Sequence, residues 1–210
     1  PVVTDECLSS ITDAFTTVTN ASLWDSINLG SIATSCGSVS GNALYFNGTG
    51  SRFAETNDFN TTAGGAINFY LQIGTGGTPC EDADPGEEVV LEYSLNGGAT
   101  WVNINTYATT AFPTPTQVNE PLPVGARTTS TRFRWRQTSN SGNNFDNWSI
   151  DNVIVPVTAL VDNFTSAFNP ALWLNITNGT VSNNCGSPTG NHLYFNGTNR
   201  SATTFDLDVT

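Results

Sequence analysis

An internal repeat is the feature that most constrains this chain. Asp13 recurs as Asp162, 149 positions later, and the segment LYFNGT at 44–49 recurs at 193–198 with the same offset. Other repeated positions in the first copy are Phe15, Leu23, Trp24, Gly30, Cys36, Gly37, Gly41 and Asn42. A period of this length matches a whole domain, which indicates tandem copies of one unit.

The repeat also predicts the domain organisation. We expect one complete unit over 13–157 and the start of a second over 158–210, almost without a linker. Residues 1–12 are then the end of an upstream segment or a linker. A piece of a tandem array is the simplest account of this arrangement.

The complete unit is predicted to consist of β-strands. At 66–73, Ile67, Phe69 and Leu71 alternate with polar residues, the period-two pattern of a half-buried strand. The segment 131–137 alternates in the same way. Further strands are expected near 23–28, 43–46, 52–56, 89–93, 101–106, 117–122 and 147–155. Many short strands without a helical period of more than two turns predict an all-β fold, an antiparallel β-sandwich or jelly roll.

Charge and cysteine usage restrict the setting. The chain has no Lys and a net charge of −12, which argues against nucleic-acid binding, since phosphates need a positive surface. No apolar run approaches the roughly 20 residues of a membrane span. The four cysteines occur singly, which favours disulfides in an oxidising compartment over a zinc site. We therefore expect an extracellular, secreted protein.

The segment 94–101, SLNGGATW, fits the Asp-box pattern Ser-x-Asp-x-Gly-x-Thr-Trp, with Asn96 in place of Asp. Asn96 and Gly97 tolerate positive φ and predict a tight hairpin, beneath which Trp101 packs. The pattern is known from sialidases, but those enzymes carry several boxes, an arginine cluster and a Tyr nucleophile. This chain does not match that set, so a structural turn is favoured.

Together, the motifs of the complete unit resemble a reelin-type repeat, specifically one jelly-roll subrepeat. The motifs occur in this order: Trp24, Cys36-Gly37, Leu44-x-Phe46, Arg52-x-Ala54-x-Thr56, Ile67-x-Phe69-x-Leu71-x-Ile73-Gly74, Cys80, Val90-Leu-Glu-Tyr-Ser94, the 94–101 hairpin, Phe133-Arg-Trp-Arg-Gln137 and Asp146-x-Trp-x-x-Asp151-Asn152. The resemblance covers 13–155 and restarts at 162. It implies a secreted module that binds calcium structurally and stacks in tandem. The family's receptor-binding lysines cannot be carried over, because this chain has none.

The resemblance also implies an internal disulfide between Cys36 and Cys80. Cys185 corresponds to Cys36, and we expect its partner beyond residue 210. A bond between Cys7 and Cys185 is the alternative.

Calcium is expected at Asp13 and Asp151, with Asp162 serving the second copy. In jelly rolls of this kind the first and last strands run side by side, and a hard cation bound by oxygen ligands can join them to a neighbouring turn. The backbone carbonyl of Arg52 is the best further ligand. A buried, unpaired carboxylate would cost several kcal/mol, which favours the cation. The alternative is that Asp13 caps a turn and Asp151 hydrogen-bonds a buried amide.

Arg132, Arg134 and Arg136 gather half of all basic residues on one strand face. They could contact acidic glycans or a neighbouring module. The favoured alternative is cross-strand pairing with Glu88 and Glu92.

We expect no enzyme, because the complete unit contains no His and no GxSxG motif. The leading prediction is a calcium-stabilised structural or adhesive repeat of a long cell-surface or filament protein. Its partners would be neighbouring repeats, a homo-oligomeric assembly or cell-surface glycans. The alternative is a carbohydrate-binding module, with Tyr70 and Tyr107 as exposed stacking platforms.

Overall fold

The computed structural model describes residues 6–160, 162, 164, 167–170, 172–185 and 190–204, with the main chain only at 6, 7 and 160. The chain divides into two compact units, one of Leu8–Thr158 and one of the remaining residues, Pro1–Cys7 and Ala159–Thr210. The described strands are β1 (Glu6–Asp13), β2 (Trp24–Asn28), β3 (Gly30–Ala33), β4 (Ala43–Phe46), β5 (Phe53–Thr56), β6 (Ala66–Ile73), β7 (Val89–Ser94), β8 (Val102–Tyr107), β9 (Thr116–Pro121), β10 (Arg132–Gln137), β11 (Trp148–Leu160), β12 (Trp173–Thr177), β13 (Gly179–Ser182), β14 (His192–Phe195) and β15 (Ser201–Thr204).

Two sheets build the first unit. The first sheet, sheet A, has the order β3-β4-β11-β6-β9, with β1 also paired to β11. The second, sheet B, has the order β2-β5-β10-β7-β8. The registered pairs in both sheets are antiparallel. The predicted antiparallel β-sandwich is confirmed, and its first and last strands lie side by side as expected.

The core lies between the inner faces of the two sheets. Phe69 of β6 and Trp135 of β10 meet edge to face there, with ring centroids 5.4 Å apart. The predicted alternation holds in both strands, because Phe69 and Trp135 are buried while Tyr70 and Arg134 on the opposite faces are only half-buried. Alternating side chains point to opposite faces of a strand. Because the inner faces of both sheets are buried in the core, the outer faces are the surfaces available for function.

Two strands of the first unit, β1 and β3, were not predicted from the sequence. Residues 8–12 form most of β1, so the first unit starts at Leu8 rather than at Asp13. The other missed strand is β3, which begins at Gly30. A Cβ at Gly30 would lie 2.7 Å from the Ile27 side chain and 2.8 Å from the Phe46 ring, so the glycine permits close packing instead of breaking the strand.

The described part of the second unit repeats the beginning of the first. β12 pairs with β15, and β13 pairs with β14. Gly179 lies opposite Phe195, which reproduces the pairing of Gly30 with Phe46.

Helical structure in the described residues amounts to the 3-10 turn Val124–Ala126. The described part of the chain has no helix whose length and apolarity would suit a membrane crossing.

Candidate functional site

Asp13, the first predicted metal ligand, ends β1 and is buried. Its Oδ1 accepts a hydrogen bond from the Phe15 amide at 2.8 Å. Its Oδ2 accepts two more, from the Asn20 amide at 2.7 Å and the Trp24 indole Nε1 at 2.9 Å. The carboxylate therefore closes the loop from β1 to β2 and fixes a core tryptophan, as the turn-capping alternative proposed.

Asp162 repeats this arrangement in the second copy. It accepts hydrogen bonds from the Phe164 amide at 3.0 Å, the Asn169 amide at 2.6 Å and the Trp173 indole Nε1 at 2.7 Å. Both copies thus use the same three donors at the same spacing, which makes loop anchoring a property of the repeated unit.

Asp151 lies in β11 and is buried, directly opposite Tyr70 of β6. Its Oδ2 accepts a hydrogen bond from the Val39 amide at 2.8 Å, and its Oδ1 accepts one from the Asn152 amide at 2.7 Å. Asp151 therefore holds the segment after Cys36 against the last strand.

Arg52, the third predicted ligand, acts mainly through its side chain. Its backbone carbonyl accepts a hydrogen bond from the Gln137 amide at 3.2 Å. Its guanidinium is fully buried, and burial lowers the pKa of this group. The five guanidinium hydrogen bonds go to the carbonyl oxygens of Gly48, Gly142, Phe145 and Asp146 and to Oε1 of Gln137. Every N–H donor of the guanidinium has an acceptor, so Arg52 fixes the loop between β10 and β11.

A carboxyl pair lies beside this arginine. Burial, and then the hydrogen bond with Asp146, raises the pKa of Glu87. Asp146 accepts a hydrogen bond from the Ser141 amide, and Glu87 accepts one from the Ser141 hydroxyl at 3.1 Å. The sequence analysis did not predict that Glu87 and Asp146 lie together, because their proximity depends on the fold of the loop.

The predicted metal ligands have oxygen atoms of the right class for calcium, but these atoms already serve the fold. A carboxylate has about four lone-pair positions. Three are used at Asp13 and two at Asp151, which leaves three in total. Across the described residues, no three Asp, Glu, His or Cys side chains form a group that could hold a metal ion. The calcium site stays a prediction.

Cys36 and Cys80 form a disulfide, with Cα atoms 4.8 Å apart. The chain segments next to these two cysteines cover one end of the outer face of sheet A. The Tyr45 hydroxyl donates to the Pro79 carbonyl at 2.7 Å, and the Ser149 hydroxyl donates to the Cys36 carbonyl at 2.8 Å. We call these covering segments, residues 36–39 and 79–80, the disulfide flap. Within the described residues Cys185 is exposed and unpaired, and the side chain of Cys7 lies outside them.

The arginine face of β10 is neutralised by acids of sheet B and its loops. Arg134 and Arg136 both bind Glu92, at 2.8 and 3.0 Å. Burial opposes ionisation of Glu92, but the hydrogen bonds from Arg136 and Arg134 outweigh it and lower its pKa. The other acidic partners are Glu55, Asp25 and Asp58. The predicted cross-strand pairing with Glu92 is confirmed. The predicted pairing with Glu88 is wrong, because the remaining ion pairs of these arginines are made with Glu55, Asp25 and Asp58. Glu88 instead accepts a hydrogen bond from the Gly86 amide.

The 94–101 segment forms the predicted hairpin between β7 and β8. Positive φ occurs at Gly97 and Gly98, one position later than expected. The Asn96 Oδ1 accepts a hydrogen bond from the Thr100 amide at 2.9 Å and so closes the turn. The Arg134 guanidinium lies 4.0 Å from the centre of the Trp101 ring, a cation–π contact that joins the hairpin to the arginine face.

Of the two predicted stacking residues, only Tyr70 has the expected position. It is half-buried on the outer face of sheet A and lines a cavity there. The prediction for Tyr107 is wrong. This side chain is 4% exposed, contacts Phe69 and Phe112 edge to face, and donates its hydroxyl to Glu120.

The model of the family described as reelin subrepeat B matches residues 30–156. This chain belongs to the reelin subrepeat B family. The match covers most of the first unit, including the disulfide flap, Arg52, the arginine face and Asp151.

The solved structures that match this chain include an adhesin domain and two carbohydrate-binding modules. The K1 cleaved adhesin domain of Lys-gingipain from Porphyromonas gingivalis W83 is 15% identical, with a TM-score of 0.51 over 72% of this chain and 99% of that one. A point mutant of the family 29 carbohydrate-binding module CBM29-2 is 14% identical, with a TM-score of 0.45 over 72% of this chain and 92% of that one. The mannan-recognising module TmCBM27 is 13% identical, with a TM-score of 0.35 over 72% of this chain and 98% of that one. The adhesin domain shares the fold of this reelin subrepeat.

Proposed function

We propose that this chain is a non-enzymatic, calcium-stabilised structural or adhesive repeat module of an extracellular cell-surface or filament protein. The observation that carries the proposal is the repeated anchor. Asp13 and Asp162 each bind two amides and one indole at matching positions. A repeat that is copied together with its internal hydrogen bonds is typical of tandem arrays, in which the stacked repeats build an extended structure. Neighbouring repeats or a homo-oligomeric assembly are then the natural partners.

The use of the buried polar groups supports a structural role. Arg52 donates three of its five guanidinium hydrogen bonds to the loop between β10 and β11 and the other two to Gly48 and Gln137. Glu92 binds two arginines of β10. Asp151 holds the disulfide flap. In an enzyme, polar groups of this kind would converge on an open site, whereas here they bind neighbouring segments of the chain.

An extracellular location is supported by the disulfide and by the charge. Disulfides such as Cys36–Cys80 form and persist in oxidising compartments. A net charge of −12 keeps a protein soluble and attracts cations.

Calcium binding is the part of the proposal that rests on family membership and on the remaining lone pairs of Asp13 and Asp151. Calcium takes six to eight oxygen ligands, so these carboxylates would need backbone carbonyls and water to complete the shell. Thermal unfolding after chelation tests this part, and added Ca²⁺ should raise the midpoint. The same midpoint with Ca²⁺ and with chelator would contradict it.

Electron microscopy of the native protein tests the structural role. We expect extended particles made of repeated, similar globules. A single compact particle without a repeating subunit would refute the tandem-array proposal.

Carbohydrate binding is the second candidate function, because Tyr70 lines an open cavity on the outer face of sheet A. Cell-surface glycans would then be partners of the module. Binding on a glycan array that is lost in Tyr70→Ala would favour this function.

A further inference from the structure

The outer face of sheet A carries two rows of side chains that are polar except at Ile154. The register places Asp151, Tyr70 and Gln117 opposite one another across β11, β6 and β9. It places Asn68 between Ile154 and Asn119 in the next row. Directly opposed residues share a face, so these side chains form one continuous surface.

The disulfide flap leaves part of this surface open. The flap contacts Ser149 and Asp151, at the end of the face away from Asn68. Beyond it lies a cleft of about 330 Å³ between the end of β1 and the middle of β6, β9 and β11. Its volume is at the small end of the usual range for ligand sites, roughly 300–1,000 Å³.

A β-bulge shapes the floor of the cleft. The pairing of β11 with β6 shifts register between Asp151 and Ile154, and Asn152 has a φ of 48°. Bulges redirect side chains and are frequent beside functional sites. Here the bulge places Asn152 in the cleft wall together with Tyr70 and Gln117.

The side chains that line the cleft are uncharged apart from Asp13, whose carboxylate accepts hydrogen bonds from three N–H donors. The other polar side chains that line it are Thr12, Asn68, Tyr70, Gln117 and Asn152. Within the described residues, the side chains of Tyr70, Gln117 and Asn152 make no hydrogen bond to the protein, so their polar atoms are available to a ligand.

We propose that this cleft binds a neutral oligosaccharide. The Tyr70 ring offers an apolar face to the C–H groups of a sugar, while its hydroxyl can bond to the rim of the ligand. The amides of Gln117 and Asn152 both donate and accept, which matches sugar hydroxyls. No basic residue lines the cleft, and the net charge of −12 disfavours sialylated or sulfated sugars. This proposal rests on carbohydrate binding as the second candidate function.

The test uses the full chain on an array of cello-, xylo-, manno- and chito-oligosaccharides printed beside sialylated and sulfated glycans. Isothermal titration with the best neutral oligosaccharide follows, for the wild type, Tyr70→Ala, Gln117→Ala and the control Asn103→Ala. Asn103 is an exposed amide on β8 of sheet B. We expect neutral glycans to bind, Tyr70→Ala to weaken affinity about tenfold and Gln117→Ala about fivefold, with Asn103→Ala unchanged.

Three results would overturn the proposal, and they are distinguishable. If Tyr70→Ala and Gln117→Ala bind the neutral oligosaccharide as tightly as the wild type, this cleft is refuted as the site, while carbohydrate binding elsewhere on the module is retained. A preference for sialylated or sulfated glycans would refute the neutral ligand class. No binding to any glycan by wild-type chain with an intact thermal transition would refute both the cleft and the second candidate function. Tyr70→Phe, which keeps the ring, should retain more affinity than Tyr70→Ala. Equal losses in the two variants would contradict the stacking role.

Discussion

Replacing Arg52 by methionine removes a buried cation and its five hydrogen bonds while keeping a long, flexible side chain. The acceptors left behind include carbonyls of the loop between β10 and β11, and Asp146 loses the positive charge beside it. The loop should therefore loosen first, and the core beneath it should then lose stability.

The magnitude follows from the contacts. A hydrogen bond that involves a charged group contributes about 1.5–3 kcal/mol, but bonds made by one side chain do not add independently. Each buried acceptor that is left without its donor costs about 1–3 kcal/mol. We expect the free energy of unfolding to fall by about 3–5 kcal/mol.

Urea unfolding followed by tryptophan fluorescence measures this loss, since Trp135 and Trp148 are fully buried. Arg127→Met is the matched control. Arg127 is exposed, and its guanidinium binds the carbonyl of Leu122, so its loss should cost less than about 1 kcal/mol. Equal losses in the two variants would refute the role of Arg52 as the support of the loop.

Three further predictions concern stability. Asp13→Ala leaves two amides and the Trp24 indole without an acceptor, and urea unfolding should show a loss of about 2–4 kcal/mol; an unchanged midpoint would contradict the anchor. The raised pKa of Glu87 means that the folded state binds its proton more tightly, so its contribution to stability is present below pH 4.5 and is lost as pH rises through the folded-state pKa. Glu87→Gln should accordingly gain stability relative to wild type as pH increases from 4 to 7, and a constant difference would contradict this. Reducing the Cys36–Cys80 bond, which closes a separation of 44 residues, should cost about 3–4 kcal/mol in the same assay, and no loss would show that the flap is held without it.

The sandwich was predictable wherever hydrophobic alternation was strong. In β6 and β10, Phe69 and Trp135 face the core as the pattern indicates. β3 was missed because Gly30 resembles a turn residue, whereas its lack of a Cβ makes room for the Phe46 ring. Composition alone cannot separate these two uses of glycine.

The sequence allowed the residues of the candidate site to be named, but it did not allow the contacts of each residue to be predicted. The 11-residue spacing from Asp13 to Trp24, repeated from Asp162 to Trp173, was a signal for the carboxylate–indole hydrogen bond. Arg52 gave no such signal, since long charged side chains are rarely buried completely. Its five acceptors lie in the loop between β4 and β5, at the end of β10 and in the loop between β10 and β11, which only the folded chain brings together.

Isothermal titration of chelator-treated chain with Ca²⁺ tests most directly the claim that this is a calcium-stabilised structural module. We predict measurable heat of binding, a higher midpoint of thermal unfolding, and loss of both effects in Asp151→Asn. A titration without heat, together with an unchanged midpoint, would contradict calcium stabilisation and would leave the hydrogen bonds of Asp13 and Asp151 as the whole of their function.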